Sequence, residues 1–190
     1  MSLRLVQAAA DAENEDELHL ARLLVLLGSA DSRKNTIATK ARAVEGITKL
    51  AKMDFLLRYP TCLERVLGRL GRDPADVDVQ PRERTSIETK MIRFRYGPWD
   101  ARYRRWLGLL SARGLVRLAV EGNTIVIGLT EAGRMLAASI RTSPLFEEIG
   151  NRSDLTVKAV GNFSAVRLKD FVYDVIPEIT DMRWGEEIVI

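Results

Sequence analysis

Apolar residues recur along this chain with two different periods, and the switch between them outlines the fold. Five acids (Asp11, Glu13, Glu15, Asp16, Glu17) precede an apolar run from Leu18 to Leu27. Acids favour the positive end of a helix, so the spacing predicts a helix that stops at Gly28 and a polar loop over 29–36. A second helix is predicted from about Ala41 to Arg58, with Ile47, Leu50, Ala51, Phe55, Leu56 and Leu57 on its apolar face. Pro60 ends it, because the residue before proline is pushed out of the helical region. Thr61 is placed to cap a third helix whose Leu63, Val66, Leu67 and Leu70 fall at i, i+3, i+4 and i+7, with Gly71 at its end. Residues 72–85 read as a linker. Residues 86–95 are ambiguous between helix and strand, and Tyr96-Gly97-Pro98 breaks the chain.

From Trp99 the helical period returns: Trp99, Tyr103, Trp106, Leu107 and Leu110 form one stripe. Gly114 ends it. The period then changes to that of strands, with Leu115–Val120 and Thr124–Leu129 flanking Glu121-Gly122-Asn123, a hairpin pattern. Thr130 is placed to cap a helix over 131–140, and Gly133 to admit a close neighbour. Pro144 restarts the chain, and residues 145–160 and 163–176 read as two further helices. The tail from Trp184 to Ile190 reads as a strand or a docking peptide. The expected fold is mostly α with a small β-hairpin wing, a winged-helix architecture with a helical extension. The expected regions are 1–71 (helical), 72–143 (winged helix) and 144–190 (extension and tail). An ordinary α+β core hairpin is the alternative.

Composition narrows the function. The 190 residues carry a net charge of +3, are 46% hydrophobic and 29% charged, and include one cysteine and one histidine. Cys62 alone forms no internal disulfide, and with His19 it falls short of the roughly four ligands of a zinc site. No phosphate-cradling G-x-x-x-x-G-K-[ST] motif occurs. No catalytic, cofactor-binding or metal-binding residues are therefore assigned. The apolar runs are too short for a membrane span and no secretory leader is visible, so a cytoplasmic protein without a membrane partner is expected. Residues 82–105 hold Arg82, Arg84, Lys90, Arg93, Arg95, Arg102, Arg104 and Arg105 against three acids, a net +5, interleaved with Tyr96, Trp99, Tyr103 and Trp106. A basic helix before a wing is where a recognition helix lies. The same residues suit a protein partner's carboxylates or a solvated face. His19 and Cys62 read as core, and Glu147-Glu148 as first-turn acids. Glu88-Thr89-Lys90, with Asp76, loosely matches the acid-x-Lys strand of metal nucleases, but residues 85–91 are too polar for a buried strand.

Two strings carry a family resemblance. One runs from Ile47-Thr48-Lys49-Leu50-Ala51-Lys52-Met53 through Asp54-Phe55-Leu56-Leu57-Arg58-Tyr59-Pro60. The other is Glu88-Thr89-Lys90-Met91-Ile92-Arg93-Phe94-Arg95-Tyr96-Gly97-Pro98-Trp99-Asp100, followed by the wing at 114–133. Together, over about residues 18–140, they resemble the middle component of bacterial ABC-three-component systems, which overlap Lamassu-type anti-phage defence. The resemblance implies a non-catalytic adaptor. It would link an ABC ATPase of the structural-maintenance-of-chromosomes or Rad50 type to an effector, often a nuclease, with double-stranded DNA as a further partner. Lys49, Lys52 and Arg58, with Trp99 and Trp184, are the candidate contacts with such a partner. Asp54 lies within the apolar face, and a buried acid needs a partner; Arg93 or Arg95 is expected to supply it. A stand-alone winged-helix transcriptional regulator is the rival reading.

Overall fold

A computed structural model of the chain describes residues 16–34, 44–84 and 90–190. Asp11, Glu13, Glu15 and Glu88 lie outside them, as do the first residues of the predicted second helix. The element order is α1 (Asp16–Lys34), β1 (Val44–Glu45), α2 (Ile47–Arg58), α3 (Pro60–Arg69), β2 (Ile92–Phe94), β3 (Gly97–Trp99), α4 (Tyr103–Ala112), β4 (Val116–Glu121), β5 (Thr124–Leu129), α5 (Glu131–Arg141), α6 (Glu147–Val160), α7 (Ala165–Val175) and α8 (Glu178–Asp181). Short 3₁₀ turns occupy Pro74–Val77, Pro81–Arg84 and Pro144–Phe146. The architecture is mostly helical with two small antiparallel sheets, one ordered β1-β5-β4 and the other pairing β2 with β3.

α1 is the central helix. Leu20 and every residue from Leu23 to Leu27 are buried, because α5 and α6 pack along it and α4 and β5 meet it as well. It does not stop at Gly28, as the sequence suggested, but runs on to Lys34. Gly28 is a crossing point, where an added Cβ would sit 3.1 Å from the Cβ of Ala137 on α5. Two polar residues beyond it have tertiary partners: Arg141 donates to Ser29 Oγ at 3.1 Å and Arg134 to Asp31 Oδ2 at 2.7 Å. A polar run with partners on the next helix stays helical where an isolated one would not.

The predicted hairpin is present. Val116 pairs with Leu129 and Glu121 with Thr124, and Gly122 turns the chain at φ 58°. The sequence pattern missed β1, whose two residues pair with Ile127 and Val126 on the far side of β5. Two residues are too short to show a period. Thr130 caps α5, accepting from Gly133 N–H at 3.0 Å. Trp99, placed by the sequence at the head of the α4 stripe, lies instead in β3, and α4 begins at Tyr103. Likewise Thr61 lies inside α3, which starts with Pro60 at its first position.

The tail docks on its own chain. Arg93 N–H donates to Glu186 O at 2.8 Å and Ile188 N–H to Met91 O at 2.8 Å. The buried Tyr59 hydroxyl accepts from Met91 N–H at 2.8 Å and donates to Ile188 O at 2.9 Å. This one phenol staples the β2–β3 segment and the C-terminus to the α2–α3 corner. A single apolar cluster accordingly runs from Leu20 to Ile188.

Gly133 faces the Leu115 carbonyl so closely that an added Cβ would overlap that oxygen. The Gly133→Ala substitution is expected to destabilise the fold by about 2 kcal/mol or more, since neither backbone can retreat. Urea unfolding monitored by tryptophan fluorescence measures the loss.

Candidate interaction site

The site is built on a buried ion network. Asp54, on α2, is fully buried. Its carboxylate takes two bonds from Arg22 on α1, at 2.6 and 3.0 Å, and one from the Tyr103 hydroxyl on α4, at 2.7 Å. Arg58, one turn further along α2, stands 3.8 Å away. The partner of Asp54 is Arg22 and not the expected Arg93 or Arg95, because α1 brings its guanidinium to this face of α2. Arg58 continues the chain of charges, donating to Asp100 at 3.1 Å and to Lys90 O at 3.1 Å. Asp100 in turn accepts from the Arg102 backbone N–H and side chain at 2.8–3.0 Å.

Burial opposes ionisation of Asp54, but Arg22, Arg58 and the Tyr103 hydroxyl together hold its carboxyl below the ordinary range. Burial likewise opposes ionisation of Asp100, which Arg102 and Arg58 hold down at about 2. Burial and the Asp54 charge push the Tyr103 phenol well up, so it remains a donor. On the α1 side, Arg22 meets His19 Nδ1 at 2.9 Å. A guanidinium only donates, so Nδ1 is the accepting nitrogen. The His19 ring packs on Trp106 with centroids 4.5 Å apart, and Trp106 Nε1 donates to Asp16 at 2.9 Å. The network therefore sets where α1, α2, α4 and the end of β3 stand relative to one another.

On this frame the predicted contact residues separate sharply. Arg58 is buried and committed to Asp100, so in this fold it is an internal strut. Lys49 is buried too, donating to Gly161 O at 2.8 Å between α6 and α7. Lys52 is 2% exposed and donates to Thr48 O at 2.9 Å. These three were expected on a partner-facing surface. Lys49 and Arg58 are internal, and Lys52 is buried at the edge of a pocket, because α2 packs against β3, α6 and α7. Trp184 is 68% exposed on the tail.

The basic stretch is also largely committed. Arg84 pairs with Glu64 at 2.7 Å, Lys90 with Glu187 at 3.1 Å, Arg102 with Asp100, and Arg105 with Asp16 at 2.5 Å. Arg93 donates to Ile179 O at 2.9 Å and lies over the Tyr173 ring. Arg95 covers the ring of its neighbour Tyr96. Arg82 is exposed on the second 3₁₀ turn. Arg104, exposed on α4, makes no hydrogen bond or ion pair among the described residues.

Arg104 stands between two cavities. A cleft of about 760 Å³ lies between the start of α2 (Gly46 to Lys49), the hairpin residues Asn123 to Ile125, and the α6–α7 corner at Gly161 to Ala165. A pocket of about 180 Å³ adjoins it, lined by Thr48, Lys52, Phe94, Tyr96, Gly97, Pro98 and Trp99. Thr48, Trp99 and Arg104 belong to both. Gly97, at φ 114°, passes directly over the Lys52 stem, where an added Cβ would lie 3.3 Å from Cε. Burial, helped by the Lys169 charge on α7, pushes the Lys52 amine down to about 8. Sequence reasoning singled out Trp99, Lys52 and Arg104 but not their meeting. It missed the cleft, which is assembled from residues 45–49, Trp99 and Arg104, 123–125 and 161–165, segments that are far apart in the chain.

Among the described residues no group of three His, Cys, Asp or Glu side chains is arranged to hold a metal. Burial raises the Cys62 thiol to about 12, so it carries no thiolate near neutrality. No described helix is long and apolar enough to cross a membrane. Comparison with protein families, curated proteins and solved structures finds no match for this chain.

Two substitutions test this electrostatic picture. Asp54→Asn leaves Arg22 without its buried counter-charge and is expected to cost about 3–5 kcal/mol in urea unfolding. Lys52→Met is expected to do the opposite. The lysine's folded value lies below its unfolded value of 10.5, so the fold carries a penalty below pH 8 that fades as pH rises towards 10.5. Lys52→Met should therefore add about 1–3 kcal/mol at pH 7, with the gain shrinking above pH 9 in a pH series of denaturation curves.

Proposed function

We propose that this chain is a non-catalytic adaptor subunit of a bacterial anti-phage complex, joining a structural-maintenance-of-chromosomes-like ABC ATPase to an effector. The order α1, β1, α2, α4, β4, β5 is helix, strand, helix, helix, strand, strand. With β1 on one side of β5 and β4 on the other, this order supports the reading of a winged helix with residues 59–102 inserted before its third helix. A fold of this kind serves DNA or protein partners equally, so the side chains decide.

The observation that carries the protein-binding reading is the spending of the basic stretch. Four of its eight cations are paired with carboxylates of this chain, namely Arg84, Lys90, Arg102 and Arg105. Phosphate binding draws on cations free to replace counterions. What the surface offers in their place is aromatic and apolar: Phe94, Tyr96 and Trp184 are exposed, and Trp99 is half-exposed beside Arg104. Such residues anchor protein interfaces. The resemblance of residues 47–60 and 88–100 to the middle component of ABC-three-component systems supplies the class of partner.

Co-expression with a coiled-coil ABC ATPase encoded beside this chain is expected to give a complex that co-elutes in size-exclusion chromatography. Binding of a 30-base-pair duplex at 150 mM salt is expected in the non-specific range, weaker than about 10⁻⁶ M, in fluorescence anisotropy. A chain that ignores the ATPase and binds one promoter sequence in the nanomolar range would instead be a transcriptional regulator.

A further inference from the structure

We infer that the Lys52 pocket and the cleft beside it receive an acidic peptide segment of a protein partner, one carboxylate of which reaches the Lys52 ammonium. The inference rests on the adaptor reading and names the chemistry of one of its contacts.

Lys52 is the unusual group. It is 2% exposed, has one hydrogen-bond acceptor, Thr48 O, and no carboxylate pairs with it among the described residues. Every other ion pair in this part of the molecule is complete, from Arg22–Asp54 to Asp100–Arg102. A buried charge without a counter-charge is costly. The side chain nonetheless lines a pocket of about 180 Å³ rather than lying in closed core. A ligand carboxylate there would complete the pattern found next door.

The rest of the pocket selects among anions. Thr48 O occupies one of the three ammonium protons, and the two that remain match the two oxygens of a carboxylate. A phosphate, with a third charged oxygen, would face the rings of Phe94, Tyr96 and Trp99. These rings and Pro98 suit the methylene stem of a glutamate or a neighbouring apolar side chain. Arg104 at the shared rim can take a second acid.

The adjoining cleft provides for the flanking residues. Its volume, about 760 Å³, exceeds what one side chain fills, and Asn123, Asn162 and Ser164 line it with groups that can pair with a peptide backbone. α2 opens onto this cleft at Gly46 with no side-chain cap. Glu45, which also lines the cleft, would repel an acid, so the acidic part of the segment belongs at the Lys52 and Arg104 end.

The test pans a random dodecapeptide display library against the full-length chain. The expected outcome is enrichment of sequences with Glu or Asp beside an apolar residue. Synthetic copies should bind at least tenfold more weakly to Lys52→Met and to Arg104→Gln, and at least tenfold more weakly when the peptide acid is changed to its amide. Arg104 is exposed, so its variant keeps the fold and the comparison stands even if Lys52→Met behaves poorly. Enrichment of sequences without acids, no enrichment at all, or binding to the variants as tight as to the unmodified chain overturns the inference. Displacement of the selected peptides by millimolar inorganic phosphate or by a twelve-residue oligothymidylate would also overturn it, assigning the pocket to phosphate or to nucleic acid. Co-elution of Lys52→Met with the ATPase is scored separately, so the pocket can fail while the adaptor reading survives.

Discussion

The carboxylate of Asp54 is the point on which the geometry of this molecule turns. It sits with no exposed surface in the middle of α2 and is reached from α1 by Arg22 and from α4 by Tyr103. Apolar packing is tolerant of small slides. A bidentate guanidinium–carboxylate pair in a low-dielectric interior is not, because a shift of one helix leaves a charge unpaired. The network therefore does for orientation what the leucines of α1 cannot. Its depressed carboxyl keeps this contribution complete above the ordinary carboxylate range and surrenders it only as acid titrates the folded state.

From that anchor the charges run outward in sequence: Arg58 to Asp100, and Asp100 to Arg102 at the start of α4. Each cation drawn into such a pair is less free to meet an outside anion. The stretch from 82 to 105 carries a net +5 as a string of letters and a much quieter face as a folded object. Arg104 escapes because it points away from the network on α4, and Lys52 lacks a carboxylate because no acid among the described residues enters its pocket. The residues that remain chemically open are thus the ones left over after the frame has been completed.

The aromatic residues follow the same division. Tyr103 and Trp106, one turn apart on α4, are buried and tie the network to His19 and Asp16. Trp99, half-buried against Phe94 and Tyr103, marks the boundary between frame and site. Tyr59 uses its hydroxyl to hold the returning tail, which turns residues 184–190 from a free end into part of the β2–β3 surface.

The sequence by itself determined the elements whose signals are local. The hairpin at 116–129, the Thr130 cap, the positive-φ glycines at 71, 114 and 122, and the helical stripe through Tyr103, Trp106 and Leu110 were all legible from period and turn chemistry. It also marked Asp54 as an acid needing a partner. Only the tertiary structure decided which partner, because Arg22, Arg93 and Arg95 are the same residue type and sequence distance does not rank them. It likewise extended α1 past Gly28, where a helix that is polar alone becomes stable once Arg134 and Arg141 meet it. And it moved Lys49, Lys52 and Arg58 from an imagined surface to the interior. Charge is written in the sequence, but exposure depends on which neighbours arrive, and here those neighbours come from β3, α6 and α7.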